Sequence, residues 1–243
     1  MEQQQGASAS ELIDPLYGQA AVEYRRLQIE TRKPVNSYRG IGPELIEEER
    51  CVDAEDRGGS AICGYVEVPN RDYIDSQVEA KRLATGMHWD VVAVSLRRIV
   101  AISKENQYLL EEAEATTHLG DYHLARGEQP SAIDAYNTAY QLLVDNADPD
   151  ATVWMQRLFT AITIVPSLST SFAGAVPTPI TTHGMTFGFN LNSSGKAEDI
   201  EVLSGGSRKN RKEQQSVINI ISGALFRPHF DDNGVVESVA IEL

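Results

Sequence analysis

Cysteine is nearly absent from this chain, with two in 243 residues, Cys51 and Cys63. No Cys-x-x-Cys, His-Glu-x-x-His, Gly-x-Ser-x-Gly or phosphate-loop pattern occurs, which removes the commonest motifs of zinc, hydrolase and nucleotide chemistry. Histidine is represented by His88, His118, His123, His183 and His229. His118 and His123 stand five apart on a helical stretch, project in different directions and make a poor metal pair. No metal and no cofactor are expected. Basic residues are in deficit, 21 against 35 acidic, for a net charge of −14. That balance argues against nucleic acid, whose phosphates need a cationic surface. Long apolar runs are also missing. The most apolar stretch, Val91–Ile102, is broken by Arg97-Arg98 and falls short of the roughly 18 residues of a membrane helix.

What is present concentrates in the last sixty residues. Met185–Leu191 alternates apolar and other residues, as a half-buried strand does. Asn192-Ser193-Ser194-Gly195 supplies turn chemistry, and Glu198–Leu203 reads as a second strand with Ile200 and Val202 on one face. Val217, Ile220, Ile221 and Ala224 then follow helical spacing, and Phe226-Arg227-Pro228 stops that helix. Asp232-Asn233-Gly234 turns the chain into a last alternating strand, Val235–Leu243. The order predicts a small antiparallel sheet with one helix across its face.

Upstream, the pattern is mainly helical. Residues 1–10 are polar and expected to be disordered. Pro15–Thr31 carries Leu16, Ala20, Ala21, Tyr24 and Leu27 at helical spacing. Residues 34–75 read as irregular, followed by helices at Asp75–Gly86 and Trp89–Ser103 around Gly86. Leu109–Arg126 and Ser131–Val144 form a clearer pair around Gly127. Ile164–Thr182, rich in Pro, Gly, Ser and Thr, reads as a linker between a helical domain (11–163) and a sheet domain (183–243). The fold class expected is therefore α+β. Residues 180–243 hold eight acidic and six basic side chains, so most of the acidity lies upstream.

Two resemblances add to this. Phe187–Leu191, Ser194-Gly195-Lys196, Val202, Leu225 and the Phe226-Arg227-Pro228 box, closed by a valine-rich strand, resemble the C-terminal domain of the TonB energy-transducer family over residues 180–243. Leu119, Gly120, Gly127, Ala132, Tyr136 and Ala139 stand at tetratricopeptide spacing, so 109–144 resembles one tetratricopeptide hairpin, with Tyr136 filling the gap between two helices. Any other helical hairpin would serve the same pattern. The first resemblance implies a non-catalytic protein that accepts an extended peptide along its last strand, Val235, Val236, Glu237, Ser238, Val239, Ala240 and Ile241. The partner it implies is a protein or peptide, such as a protein of the cell envelope, and a homodimer is an alternative use of the same edge. A second reading makes the chain a structural adaptor, its helical part gripping the partner while the sheet only docks or dimerises.

Cys51 and Cys63 flank eleven residues containing a Gly-Gly pair, enough to let the sulfurs meet. A disulfide there suits an oxidising compartment; two separate buried thiols suit a reducing one. The resemblance implies a periplasmic location with a leader removed. With Met1 as the true start the chain is cytoplasmic, since Met1–Gln5 has neither the basic start nor the apolar segment of a secretory signal. Gly205-Gly206-Ser207 followed by Arg208, Lys209, Arg211 and Lys212 is a candidate loop for an anion or acidic partner, or simply a solvated turn. Glu111, Glu112 and Glu114 read as solvated helix residues, and Asp231-Asp232 as turn chemistry. Nothing brings a nucleophile, base and orienting group together, so no enzyme is expected.

Overall fold

The structure is a computed structural model that describes residues 9–52, 62–146, 148–160, 162–165, 180, 182–231, 234–235 and 238–242. It is an α+β protein with small antiparallel sheets. By contact it divides into two units, residues 1–25 with 90–243, and residues 26–89. The expected linker boundary at 164–182 falls inside the first unit. Residues 166–179 and 181 lie outside the described set.

Helix α1 (Ala9–Arg32) buries Ile13, Tyr17, Ala20, Tyr24 and Leu27, spaced four and three apart in turn. It begins before Pro15, where the sequence had placed its start, and takes in Ser10 from the expected disordered tail. Helix α2 (Arg71–Asn106) is continuous, contrary to the expected break at Gly86. A Cβ at Gly86 would meet nothing within 4 Å, so this glycine is merely a tolerated helix residue. Helices α3 (Leu109–Ala125) and α4 (Gln129–Val144) follow as an antiparallel pair. Gly127, at φ +76, closes α3. Its N–H donates to Leu124 O and the Glu128 N–H to His123 O, both orphan carbonyls of the last turn. The ring of Tyr136 packs so closely on α3 that a Cβ at Gly120 would lie 2.4 Å from it.

A short helix α5 (Ala151–Met155) runs into a π-type turn, Gln156–Thr160. Strand β3 (Ile164–Val165) pairs with β6 (Leu225–Phe226). Strands β4 (Thr186–Asn192), β5 (Ala197–Ser204) and β9 (Ser238–Glu242) form a sheet ordered β5-β4-β9. Helix α6 (Arg211–Gly223) packs Val217 and Ile221 with Phe187, Phe189, Leu191 and Phe226. Ile220, expected on that apolar face, is half exposed because a helix turns it away from its neighbour Ile221. Strands β7 (Phe230–Asp231) and β8 (Gly234–Val235) make a separate two-stranded ladder. Phe230 enters the α3–α4 core, stacking on Tyr140 at 5.5 Å and packing against Phe159 at 5.0 Å.

In the second unit, residues expected to be irregular form a hairpin, β1 (Leu45–Val52) with β2 (Ile62–Pro69), in continuous register. Cys51 and Cys63 face each other across it and are joined as a disulfide. Asn70 fixes the hairpin root to α2. Its amide donates to Pro43 O, and its carbonyl oxygen accepts the Asp72 N–H as a helix cap. Polar bonds stitch the rest: Lys81 Nζ donates to Thr31 O and Lys33 O, Gln77 to Tyr38 O, and the Ile41 N–H to Ser76 Oγ. Among the described residues of this unit, Leu27 is the one large apolar side chain that is fully buried.

Candidate partner-binding site

The site is built on β4, which pairs with β5 on one side and β9 on the other. Asn192 starts the turn into β5. Its side-chain Oδ1 accepts the N–H groups of Ser194 and Lys196 and the Ser194 hydroxyl. Gly195 completes that turn at φ +74, where its carbonyl receives the Phe226 N–H at 2.7 Å and a Cβ would lie 2.2 Å from Phe226 O. On the other side β9 pairs Val239 with Leu191, Ala240 with Asn190, Ile241 with Phe189 and Glu242 with Gly188.

The two edges of this sheet differ. Strand β5 carries Glu198, Asp199 and Glu201 and is bulged opposite Gly188–Asn190, with Asp199 at φ +52. Charge and a bulge are how an edge is blunted against pairing. Strand β9 has one charged residue in five, Glu242, and an unbroken register. Among the described residues, no strand other than β4 pairs with β9.

This corrects the expected extent of the last strand. Val235 belongs to β8 and pairs with Phe230, so it does not lie on the sheet edge. Val236 and Glu237 lie outside the described residues. Ser238, Val239, Ala240 and Ile241 are in β9 as expected. On the solvent side of the sheet, an open cleft of about 350 Å³ is lined in part by Asn190, Asp199, Glu201 and Glu242.

The basic run is elsewhere. Arg208 and Lys209 sit on a 3-10 turn, Arg211 and Lys212 begin α6, and all four are exposed. Asn210 Oδ1 accepts the Ser207 N–H and hydroxyl at 2.8 and 2.9 Å, while its amide donates to Gly205 O. The turn is thus tied by its own side chains.

The Phe226-Arg227-Pro228 box is buried. Phe226 lies against Phe189 with centroids 5.4 Å apart. The Arg227 guanidinium meets Asp121 of α3 through Nε–Oδ1 at 2.9 Å and Nη2–Oδ2 at 2.6 Å, and Nη1 donates to Leu158 O at 2.7 Å. The Tyr136 hydroxyl donates to Asp121 Oδ1 at 2.8 Å, and His118 Nδ1 lies 3.4 Å from Oδ2. Glu114, one turn earlier, accepts from Arg157 at 3.0 Å. Burial alone would raise the Asp121 pKa. The Arg227 charge, with hydrogen bonds from His118 and Arg227, outweighs it and holds the carboxyl well below the usual range. Burial would lower the Arg227 pKa, but Asp121 raises it further. Tyr136 is pushed well up, first by burial and then by Asp121.

Sequence reasoning missed Asp121, Tyr136 as a donor, and the burial of Glu112 and Glu114, which it had placed in solvent. The available signal was Arg227 itself, a lone cation in an apolar stretch that needs an acidic partner. At 5% and 1% exposure, Arg227 and Asp121 hold the C-terminal strands to α3 from inside. No family model, curated protein or solved structure matches this chain. Among the described residues, no helix is long and apolar enough to cross a membrane.

Proposed function

We propose that this chain is a non-catalytic protein–protein interaction protein that takes an extended peptide by strand addition along β9. The observation that carries the reading is the contrast of edges: β5 is charged and bulged, whereas β9 ends the sheet in regular register with a single charge. Backbone donors and acceptors on the outer side of β9 supply affinity, and alternate side chains of the incoming strand supply preference. The β5-β4-β9 sheet with α6 packed on it supports the TonB-like reading of residues 180–243. Gly120 against Tyr136 is the close helix approach that a tetratricopeptide-like hairpin uses. The cross-strand disulfide accords with an oxidising, periplasmic setting.

Selection of ten-residue peptides on the full chain, followed by proline substitution in β9, tests this. Neighbouring strand residues point their N–H groups to opposite sides. One of Val239→Pro and Ala240→Pro therefore removes an outward donor while leaving the β4 pairing intact. That variant is expected to lose the selected peptide at least tenfold with an unchanged circular dichroism spectrum. Retained binding in both variants rejects the edge, and peptide-induced amide shifts of the full chain gathered on α3 and α4 assign the partner to the adaptor reading.

A further inference from the structure

We infer that the β1–β2 hairpin is a second docking surface, independent of β9, for an extended cationic segment laid beside β1. The hairpin has eight residue pairs, yet among the described residues neither strand pairs with any other, and no described side chain in either strand is buried. A lone two-stranded ladder is marginal in water, and this one is closed by Cys51–Cys63 instead of a core. Leu45, Ile46, Tyr65 and Val66 are 41–71% exposed along it. Such apolar exposure on an isolated ladder is what a partner would cover.

The occupant's chemistry follows from the register. Cross-strand partners share a face, so one face carries Leu45, Glu47, Glu49 and Cys51 with Pro69, Glu67, Tyr65 and Cys63. Glu47 stands directly opposite Glu67, a like-charge pair that opposes the fold that holds it. Among the described residues none of Glu47, Glu49 and Glu67 has a cationic partner. On the other face Glu48 is already engaged by Arg50 at 3.3 Å. A second copy of the same hairpin is disfavoured, because it would set carboxylates against carboxylates. A strand with Lys or Arg at alternate positions instead places its charges beside Glu47 and Glu49, and its apolar residues along Ile46. Backbone pairing to the free edge of β1 fixes its direction.

The test uses the full oxidised chain and a fluorescein-labelled nonapeptide alternating Lys and Val, read by anisotropy at low salt. Binding is expected, weakening as salt rises. It should fall at least tenfold for a Glu-Val peptide, and as much for a Lys-Val peptide N-methylated at its lysines and valines alike, which keeps charge but removes donors on both sides. The exposed triple substitution Glu47→Gln/Glu49→Gln/Glu67→Gln is expected to weaken it at least tenfold, while Glu48→Gln leaves it unchanged. Undiminished binding of the N-methylated peptide, or of the triple variant, overturns the proposal. So do no binding at all and amide shifts confined to β9. Self-association lost in the triple variant would assign the surface to a second copy and equally overturn it.

Discussion

The Arg227 guanidinium grips the Asp121 carboxylate through two bonds, although 106 residues separate them in sequence. Both groups are buried, and Leu158 O and the Tyr136 hydroxyl complete the cluster. This pairing, with Phe230 in the α3–α4 core, joins the strands of the C-terminal region to the helical pair within one unit.

A buried pair costs most when half of it is removed. Arg227→Met alone should destabilise the first unit by roughly 3–5 kcal/mol, because Asp121 is left buried and uncompensated. Adding Asp121→Leu should recover much of that loss. Urea unfolding of the wild type, the single variant and the double variant measures the coupling.

The same pair sets an acid limit. Asp121 titrates well below its usual value in the folded protein, so the unfolded chain binds the proton first as pH falls. Its contribution is complete at neutral pH and is lost progressively below about pH 4. Stability measured from pH 7 to pH 3 should fall more steeply in the wild type than in Asp121→Leu/Arg227→Met.

Gly120 is fixed by a close approach rather than by its backbone angles. A Cβ there meets the Tyr136 ring carbons at 2.4 to 2.9 Å. Gly120→Ala should therefore cost roughly 1–3 kcal/mol as the ring is displaced from its bond to Asp121. Thermal melts of Gly120→Ala with and without Tyr136→Leu check the cause, since the smaller side chain should relieve most of the added strain.

Much of this was legible locally. The strand–strand–helix–strand order, the Asn192–Gly195 turn and the Gly127 junction follow from spacing and turn residues that act within a few positions. The hairpin was not legible. Its residues are exposed on both faces, so no alternation marks them, and Glu47-Glu48-Glu49 reads as solvated charge. Gly86 misled for the opposite reason: its helix runs on through it, and the glycine signal carries no tertiary information. Val235 continued an apolar alternation across the change from β8 to β9, a change that pairing partners decide. The Asp121–Arg227 bond lies beyond any local pattern, since only the folded chain brings α3 beside the Phe-Arg-Pro box.

Reducing Cys51–Cys63 should act on the hairpin. The disulfide closes a loop of about a dozen residues, which the chain-entropy model values at roughly 2–3 kcal/mol. Hydrogen exchange after reduction should show amides of β1 and β2 losing protection while those of β4 keep it. Equal loss in both strand sets would contradict this division of the chain.

Strand acceptance by β9 is the central property to measure. Titrating the ¹⁵N-labelled full chain with a selected ten-residue peptide tests it residue by residue. Shifts and new exchange protection should gather at Ser238–Glu242 and their β4 partners, with intermolecular backbone contacts to the peptide. Shifts gathered on α3 and α4, with β9 unperturbed, would contradict it.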